Sequence, residues 1–307
     1  MHPSADDSRI STCLPRDVVA WQHELTHTTG LAAATVNNHL ASLSAWTTWV
    51  QIQSPHVFPA GDPAKGIGAR ALPPLEPRAL SAVQVRSLKN LCDRLPRLHQ
   101  LKGRQWIETP DVPIHRARRP WRDRAMVFVL LSTGVRREEL TRLNRDQLQP
   151  STPAALRAAR KAVLRRVRGK GKTERSVFLS ADARLALADY LDHERERDAD
   201  TPAATALFLT ALTTPRRGAD GRLAVRTINA ILEQIGHWHD AEIDDPERQV
   251  SPLRPHDLRH TFAFHLAQTT GADAYELERR LGHRSQRYIQ RYTNPPEDVA
   301  ATYIEAF

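Results

Sequence analysis

Residues 253–293 read LRPHDLRHTFAFHLAQTTGADAYELERRLGHRSQRYIQRYT, and this stretch decides which fold and function the sequence predicts. Pro255 suits the first turn of a helix, where its missing N–H would have no helical partner. Apolar side chains then recur every four residues, at Leu258, Phe262 and Leu266, which is the stripe that a packed helix buries. Gly271 is a stop signal, so the sequence predicts a helix from Pro255 to Gly271.

The start of this helix carries His256 and Arg259. Because these residues are three apart, their side chains point the same way from the helix surface. The N-terminal end of a helix is electropositive. We therefore expect an anion to bind there.

A second helix and a turn follow in the same stretch. Asp273 is a suitable N-cap and Gly282 a suitable stop. His283 then lies on the turn before a further helix, and Tyr292 ends that segment nine residues later. The pattern places a phenol close in sequence to two imidazoles and a guanidinium.

These four side chains suit attack on a phosphodiester. A phenol has an unperturbed pKa of roughly 10, so a nucleophilic tyrosine needs activation. A guanidinium can bind two phosphate oxygens at once. The stretch resembles the tyrosine recombinases of the phage integrase family, whose motif is H-x-x-R, then L-G-H, then a tyrosine nine residues on. This resemblance implies catalytic roles for His256, Arg259, His283 and Tyr292.

Two upstream segments extend the resemblance. Residues 132–140, STGVRREEL, are similar to the family's first arginine box, which implies that Arg136 is catalytic and that Glu139 supports the site. Residues 163–179 predict a β-hairpin, since short β-branched runs flank a glycine-rich turn. The turn resembles the family's GKGxKxR hairpin, and Lys170 matches its lysine, with Lys172 as the second candidate.

The charge is unevenly distributed. The chain has 307 residues and a net charge of +9, but residues 1–78 hold 5 basic and 6 acidic side chains. The whole basic excess therefore belongs to the remainder, which indicates a polyanionic partner. Double-stranded DNA is the partner that the resemblance implies.

Basic clusters suggest where the DNA backbone is contacted. Residues 97–124 hold 8 basic and 3 acidic side chains, and residues 157–175 hold 9 and 1. A solvated loop and a generic phosphate-binding patch are the alternatives for these clusters. The candidate backbone contacts are Arg116, Arg118, Arg119, Arg166, Arg168, Lys172 and Arg175.

The domain organisation follows from composition. Residues 14–50 predict helices with one stripe at Val18, Trp21 and Leu25 and a second at Thr35, His39, Leu43, Trp46 and Val50. Residues 55–77 are rich in proline and glycine, which is typical of a linker. We expect a helical core-binding, DNA-binding domain at 1–72, a linker at 73–80 and a catalytic domain at 81–307. The predicted fold is mainly α with a small antiparallel β-sheet.

Two histidine-containing segments could suggest a metal site. His23, Glu24 and His27 form a literal H-E-x-x-H motif, but Ala33 stands where the longer metzincin pattern needs a third histidine. His237 and His239 precede an acidic segment, where a solvated helix end is the favoured interpretation. We therefore expect no metal and no cofactor.

The isolated Cys13 and Cys92 indicate a reducing compartment, and neither a signal peptide nor an apolar run of ~18 residues is present. The sequence thus predicts a cytoplasmic protein with no membrane segment.

The resemblance implies a site-specific DNA recombinase that cleaves and rejoins DNA through a 3′-phosphotyrosyl intermediate, without metal or ATP. A type IB topoisomerase-like relaxing enzyme and a non-catalytic DNA-binding protein are the alternatives. Family likeness also implies an inverted-repeat core site and a tetramer on paired sites, with residues 297–307 docking onto the neighbouring protomer. Their apolar stripe could also pack onto its own domain.

Overall fold

The computed structural model of the chain describes residues 10–72, 78–98, 119–169, 173–215, 217–271 and 273–282. Two compact units form, Met1–Glu76 and Pro77–Phe307. Across the described ranges, none of the helices combines the length and apolar character that a bilayer crossing requires.

The first unit is built on helices α1 (Pro15–His27) and α2 (Ala33–Gln53), followed by a 3₁₀ turn at Pro55–Val57. The predicted face of α2 is partly wrong. Thr35, His39 and Trp46 are exposed, and the buried set is Val36, Leu40, Thr47 and Val50. Val36, Leu40 and Thr47 each lie one residue after a residue of the predicted stripe, so they follow the same helical spacing. This alternative face buries the aliphatic side chains of Val36 and Leu40.

The proline-rich segment packs against these helices as far as residue 72. The Asn37 side chain bonds the backbone of Arg70 in both directions, at 2.9 and 2.8 Å. The Asp62 carboxylate accepts from the Thr48 hydroxyl at 2.7 Å and from the Ala64 amide at 2.9 Å. Much of the stretch whose composition is typical of a linker is therefore ordered structure within the first unit.

The second unit contains eight helices within its described residues. They are α3 (Ala82–Leu98), α4 (Pro120–Thr133), α5 (Arg137–Arg142), α6 (Pro153–Ala158), α7 (Ala181–Tyr190), α8 (Val225–Asp240), α9 (Pro255–Thr270) and α10 (Ala274–Leu281). Helix α7 continues through a π turn at Leu191–Arg195 into Glu196–Asp198.

Helix α4 is the centre of this unit. Six consecutive residues, 125–130, are buried on all sides, as expected of a helix with apolar residues around its whole circumference. Helices α3, α7 and α9 pack against it. Helix α5 follows α4 after a short turn, and α9 packs against α4. The central helix therefore positions both of these helices, which begin at the candidate site.

A three-stranded antiparallel sheet covers one side, in the order β1 (Leu148–Gln149), β2 (Ala162–Arg168) and β3 (Glu174–Leu179). The predicted fold class and hairpin are confirmed. The register shifts between Leu164 and Val167, and Arg166 in this bulge has φ +52°. The Gln147 amide donates to the carbonyls of Arg165 and Arg166 at 2.8 and 2.7 Å, which stabilises the bulge.

Helices α9 and α10 begin and end as predicted. Gly271 and Gly282 are both left-handed C-caps, and the Asp273 carboxylate accepts from the amides of Tyr275 and Glu276. The solvated helix end predicted for His237 and His239 is correct for His237, which is exposed, and wrong for His239. That ring is 2% exposed and lies 2.7 Å from Ser87 Oγ and 2.9 Å from an oxygen of the adjacent Asp240.

Candidate active site

Three arginines from three different elements converge on the C-terminal end of α10. Arg175 on β3 donates to the carbonyl of Arg280 at 3.0 Å, and Arg259 on α9 donates to that of Leu281 at 2.8 Å. Arg136, the N-cap of α5, donates to the carbonyl of Gly282 at 3.4 Å. The last carbonyls of a helix lack helical partners and carry partial negative charge, so three successive peptide oxygens draw the guanidinium groups together.

Glu139 orients two of these arginines. Its carboxylate receives both terminal nitrogens of Arg175, at 3.0 and 2.7 Å. It also receives the Arg136 guanidinium at 3.0 Å and the Arg136 backbone amide at 2.9 Å. Glu139 is 3% exposed. Burial acts to raise the pKa of this carboxyl, but the bonds and charges of Arg175 and Arg136 outweigh it and hold the pKa below its ordinary value.

Arg259 is buried and joins two turns. Besides Leu281, it donates to the carbonyl of Gly134, the left-handed C-cap of α4. Because a guanidinium is planar, these two backbone bonds fix the orientation of Arg259.

The turn at Gly134 requires glycine for two reasons. Its φ is +59°, and a Cβ there would lie 2.3 Å from Cδ1 of Phe262 on α9. A side chain would be strained and would also push α9 away from α4. The residue keeps Arg136 and Arg259 within reach of the adjacent carbonyls of Gly282 and Leu281.

His256 lies on the first turn of α9 and is exposed. Although the ring reaches solvent, the surrounding protein desolvates it, and Arg259 and Arg137 add positive charge, so its pKa is lowered. Arg137 and Arg254 also line a cavity of about 250 Å³ beside the ring. A histidine with a lowered pKa is neutral at neutral pH and can accept a proton.

The hairpin turn begins beside this cluster. A Cβ on Gly169 would lie 3.3 Å from a Glu139 oxygen, and the Gly169 amide donates to the Thr173 carbonyl at 2.7 Å. Lys170 directly follows Gly169 in the sequence, as His283 follows Gly282. The predicted residues Lys170, Lys172, His283, Tyr292, Arg116 and Arg118 and the segment 297–307 lie outside the described residues.

The predicted DNA-backbone contacts divide into two groups. Arg166 and Arg168 are 65% and 77% exposed, and with Arg142 and Arg222 they line a cavity of about 370 Å³ next to Glu139. By contrast, Arg119 makes a two-pronged bond of 2.7 Å to each oxygen of the fully buried Asp198.

Arg175 has a different role from the predicted backbone contact. Its side chain is 10% exposed and is held by Glu139 and the carbonyl of Arg280. The spacing along the strand indicates this inward position, because Arg175 lies two residues before Val177 and four before Leu179, which are both buried. Residues two apart in a strand face the same way.

The histidines of the H-E-x-x-H motif lie on α1, where the rings of His23 and His27 are 4.1 Å apart. Across the residues that the structure describes, no group of three His, Cys, Asp or Glu side chains is placed to hold a metal ion.

Comparison with known proteins defines the class. The family model "Phage integrase family" matches residues 107–298, which is more than half of the chain. The chain belongs to the phage integrase family.

Tyrosine recombinase XerC 1 of Ralstonia nicotianae is 30% identical over 276 residues, covering 87% of this chain and 71% of that relative. Tyrosine recombinase XerC of Syntrophus aciditrophicus is 33% identical over 172 residues, covering 56% of this chain and 48% of the relative. Tyrosine recombinase XerD of Bifidobacterium longum is 32% identical over 189 residues, covering 60% of this chain and 53% of the relative. The chain thus spans about half the length of these last two proteins.

Solved structures show the same fold. The Tn1549 transposon integrase in complex with a circular intermediate DNA has a TM-score of 0.64 at 17% identity, with 97% of this chain and 86% of that chain covered. The XerH site-specific recombinase bound to its difH substrate has a TM-score of 0.60 at 17% identity, with 95% of this chain and 70% of that chain covered.

Proposed function

We propose that this protein is a site-specific DNA recombinase that cleaves and rejoins double-stranded DNA through a 3′-phosphotyrosyl intermediate. One observation carries the proposal. Arg136 and Arg259 bind the adjacent carbonyls of Gly282 and Leu281, so two guanidinium groups lie together immediately before His283. Membership of the phage integrase family supports the same activity.

The scissile phosphate binds to the guanidinium groups of Arg136 and Arg259. Positioned cations offset the charge that develops on the non-bridging oxygens in the transition state, and charge-assisted hydrogen bonds to phosphate are strong. His283 donates a further hydrogen bond. Glu139 and Arg175 do not touch the phosphate but hold Arg136 in its orientation.

Tyr292 supplies the nucleophile. Its oxygen forms a bond to phosphorus as the bond from phosphorus to the 5′ oxygen breaks, and the phenol proton passes to His256. Lys170 gives a proton to the departing 5′ oxygen. The phosphodiester energy is kept in the phosphotyrosyl bond, so a 5′ hydroxyl can reverse the step without metal or ATP.

Exposed arginines extend the DNA surface beyond the reacting phosphate. Arg166, Arg168 and Arg142 lie around one cavity next to Glu139, and neutralising phosphates with such side chains releases counterions. The first unit acts as the core-binding domain and contributes further DNA contacts. The substrate is a core site with inverted repeats, and a tetramer assembles on two such sites.

The decisive experiment captures covalent protein–DNA adducts from a library of nicked duplexes with randomised ends and sequences the captured DNA. A recombinase yields one shared inverted-repeat sequence with the protein attached to the 3′ phosphate at the break. Adducts spread over unrelated sequences would support the topoisomerase-like alternative, and their complete absence would support a DNA-binding protein without catalysis.

Tyr292→Phe should form no adduct on the captured duplex, because no other group lies at the family spacing. Tyr288→Phe, which changes the tyrosine four residues earlier, is the control and should retain adduct formation. Addition of EDTA should leave the wild-type rate unchanged. Adducts that survive Tyr292→Phe but vanish in Tyr288→Phe would reverse the assignment of the nucleophile.

A further inference from the structure

The segment before the helix that carries His256 and Arg259 is held by a side chain from the other end of the unit. The guanidinium of Arg78 donates to the carbonyls of Val250, Ser251 and Pro252, each at 2.9 Å. Arg78 is the second residue of the unit that begins at Pro77, more than 170 positions earlier in the chain.

Two further side chains hold the same segment. The Gln84 amide donates to the carbonyls of Glu247 and Gln249 at 3.1 and 2.9 Å. The Asp240 carboxylate accepts from the amides of Val250 and Ser251, both at 2.8 Å. Residues 249–254 form neither helix nor strand, so their position depends on these bonds and on the buried side chains of Val250 and Leu253 rather than on a backbone ladder.

The held segment leads directly into the proposed site. Pro252 is four residues before His256, and the Arg254 amide donates to Asp257 at 2.9 Å to cap α9. Burial raises the pKa of Asp257, and the positive charge of Arg78 acts against that increase, which is consistent with a guanidinium near the first turn of α9. Leu80, two residues after Arg78, donates its amide to the Thr261 hydroxyl on the same helix at 2.8 Å.

We propose that Arg78 is a positioning residue for the reaction: by binding three successive carbonyls, it fixes the start of α9 and therefore the placement of His256 and Arg259 against the scissile phosphate. The proposal rests on the proposed function. A guanidinium presents five N–H donors in a rigid fork, whereas an ammonium is a compact group on a flexible stem. Arg78 therefore fixes the segment in a way that lysine reproduces only in part.

The test compares Arg78→Ala and Arg78→Lys with Arg94→Ala. Arg94, on α3, is a matched control because its guanidinium also bonds a distant segment, through Glu242 just after α8 at 2.5 and 3.3 Å, and none of its hydrogen bonds within the described residues reaches 247–252. We would measure the affinity for the captured nicked duplex, the single-turnover cleavage rate at saturating duplex, and hydrogen exchange in residues 247–259 of the free protein.

Arg78→Ala should lower the cleavage rate by roughly 10- to 100-fold, the effect of small displacements of catalytic groups, while DNA affinity changes by less than about twofold, since Arg78 makes no proposed phosphate contact. Arg78→Lys should recover part of the rate. Hydrogen exchange should increase in 247–259 for Arg78→Ala and stay at the wild-type level there for Arg94→Ala.

The proposal is wrong if Arg78→Ala cleaves at the wild-type rate, or if Arg94→Ala loses as much activity, which would indicate a general loss of stability. If Arg78→Ala does not fold, Arg78→Lys must still cleave more slowly than wild type with unchanged affinity. If the wild-type chain forms no adduct with any duplex, the proposed function fails. Hydrogen exchange then still tests whether Arg78 holds the start of α9.

Discussion

At the scale of single residues, the site depends on one buried carboxylate. Glu139 receives Arg175 and Arg136, and these two arginines bind the carbonyls of Arg280 and Gly282. A buried charge is stable only when paired. Because the carboxylate and the helix end share these cations, a change at Glu139 would leave Arg175 and Arg136 without a fixed orientation.

The lowered pKa of His256 gives a prediction for the pH profile. If the neutral ring accepts the tyrosine proton, cleavage should rise with pH, with a midpoint below the ordinary histidine value of about 6.5. Positive charge on Arg137 helps to lower this pKa, whereas Glu138 acts in the opposite direction. Arg137→Gln should therefore raise the pKa and move the midpoint to higher pH.

The measurement is the single-turnover rate from pH 5 to pH 8 on the captured duplex, with Arg94→Gln as a distant arginine control. A midpoint that is the same in Arg137→Gln and wild type would mean that His256 does not set the acid limb.

The sequence predicts which arginines come together at the candidate site better than it predicts what each side chain contacts. The family motifs single out Arg136 and Arg259, and the structure brings both to the end of α10. The sequence places Arg175 among the surface contacts, since a basic cluster alone does not tell a buried guanidinium from an exposed one. Its partner Glu139 is 36 positions away, and pairing over that distance depends on the fold. Arg119 and Asp198 show the same limit.

At the scale of elements, the sheet stores strain at one arginine. Arg166 has φ +52°, a conformation that costs a non-glycine residue about 1–2 kcal/mol, and the bulge turns its side chain to solvent. Arg166→Gly should therefore raise the free energy of unfolding by about 1 kcal/mol and weaken DNA binding through the loss of one cation.

Arg165→Gly is the matched control. This neighbour in β2 is also exposed but is not in the positive-φ region, so glycine should destabilise the strand by roughly 0.5–1 kcal/mol. Urea unfolding and DNA titration check both variants. A loss of stability in Arg166→Gly as large as that in Arg165→Gly would contradict the strain argument.

The first turn of helix α4 donates backbone hydrogen bonds to a buried carboxyl group. Glu194 accepts from the amides of Trp121 and Arg122 at 3.2 and 2.9 Å, and burial raises its pKa to about 7. Between the unfolded value of about 4.3 and this folded value, the folded protein binds more protons than the unfolded chain. Stability contributed by this group is therefore lost as the pH rises through that window.

A glutamine does not titrate, so Glu194→Gln should lack this loss of stability. In the wild type, the contribution of Glu194 to the free energy of unfolding falls by up to roughly 1.4 kcal/mol per pH unit. The measurement is the free energy of unfolding in urea at pH 5 and pH 7. Glu196→Gln is the control, because Glu196 is 63% exposed in the same segment. Equal pH dependence in wild type and Glu194→Gln would contradict the raised pKa.

The pattern of elements was predictable where local signals were strong. Pro255, Gly271, Asp273 and Gly282 act through their own backbone preferences and caps, so α9 and α10 begin and end where the sequence predicts. The buried face of α2 depends on which neighbours it meets, and the burial of His239 depends on Ser87, 152 positions away. Neither partner is visible from local spacing.

At the scale of the whole molecule, the family model and the charge excess fall on the same part of the chain. The model matches residues 107–298, whereas residues 1–78 carry slightly more acidic than basic side chains. If the protein binds DNA as proposed, long-range attraction to the DNA comes from the second unit. Any DNA contact of the first unit then depends on shape and local contacts more than on net charge.

The last prediction concerns residues 297–307. The sequence predicts a helix here whose apolar side chains would share one face, at Val299, Ala300, Tyr303, Ile304 and Phe307. Because ~11 residues are marginal as an isolated helix, this face needs a partner. The proposal is that the partner is the neighbouring protomer on DNA. Deleting residues 297–307 should leave binding by single protomers and some cleavage, and should abolish cooperative assembly and strand exchange.

A point variant separates docking from folding. Ile304→Asp places a charge on the apolar face and should reproduce the deletion, whereas Thr302→Asp, on the opposite side, should behave like wild type. Native gels on one and on two core sites measure assembly, and recombination of paired sites measures exchange. If Ile304→Asp recombines at the wild-type rate, the stripe does not dock in trans. If the Ile304→Asp monomer unfolds at a markedly lower urea concentration than the Thr302→Asp monomer, the stripe packs onto its own domain. A contact between protomers contributes nothing to the stability of an isolated monomer.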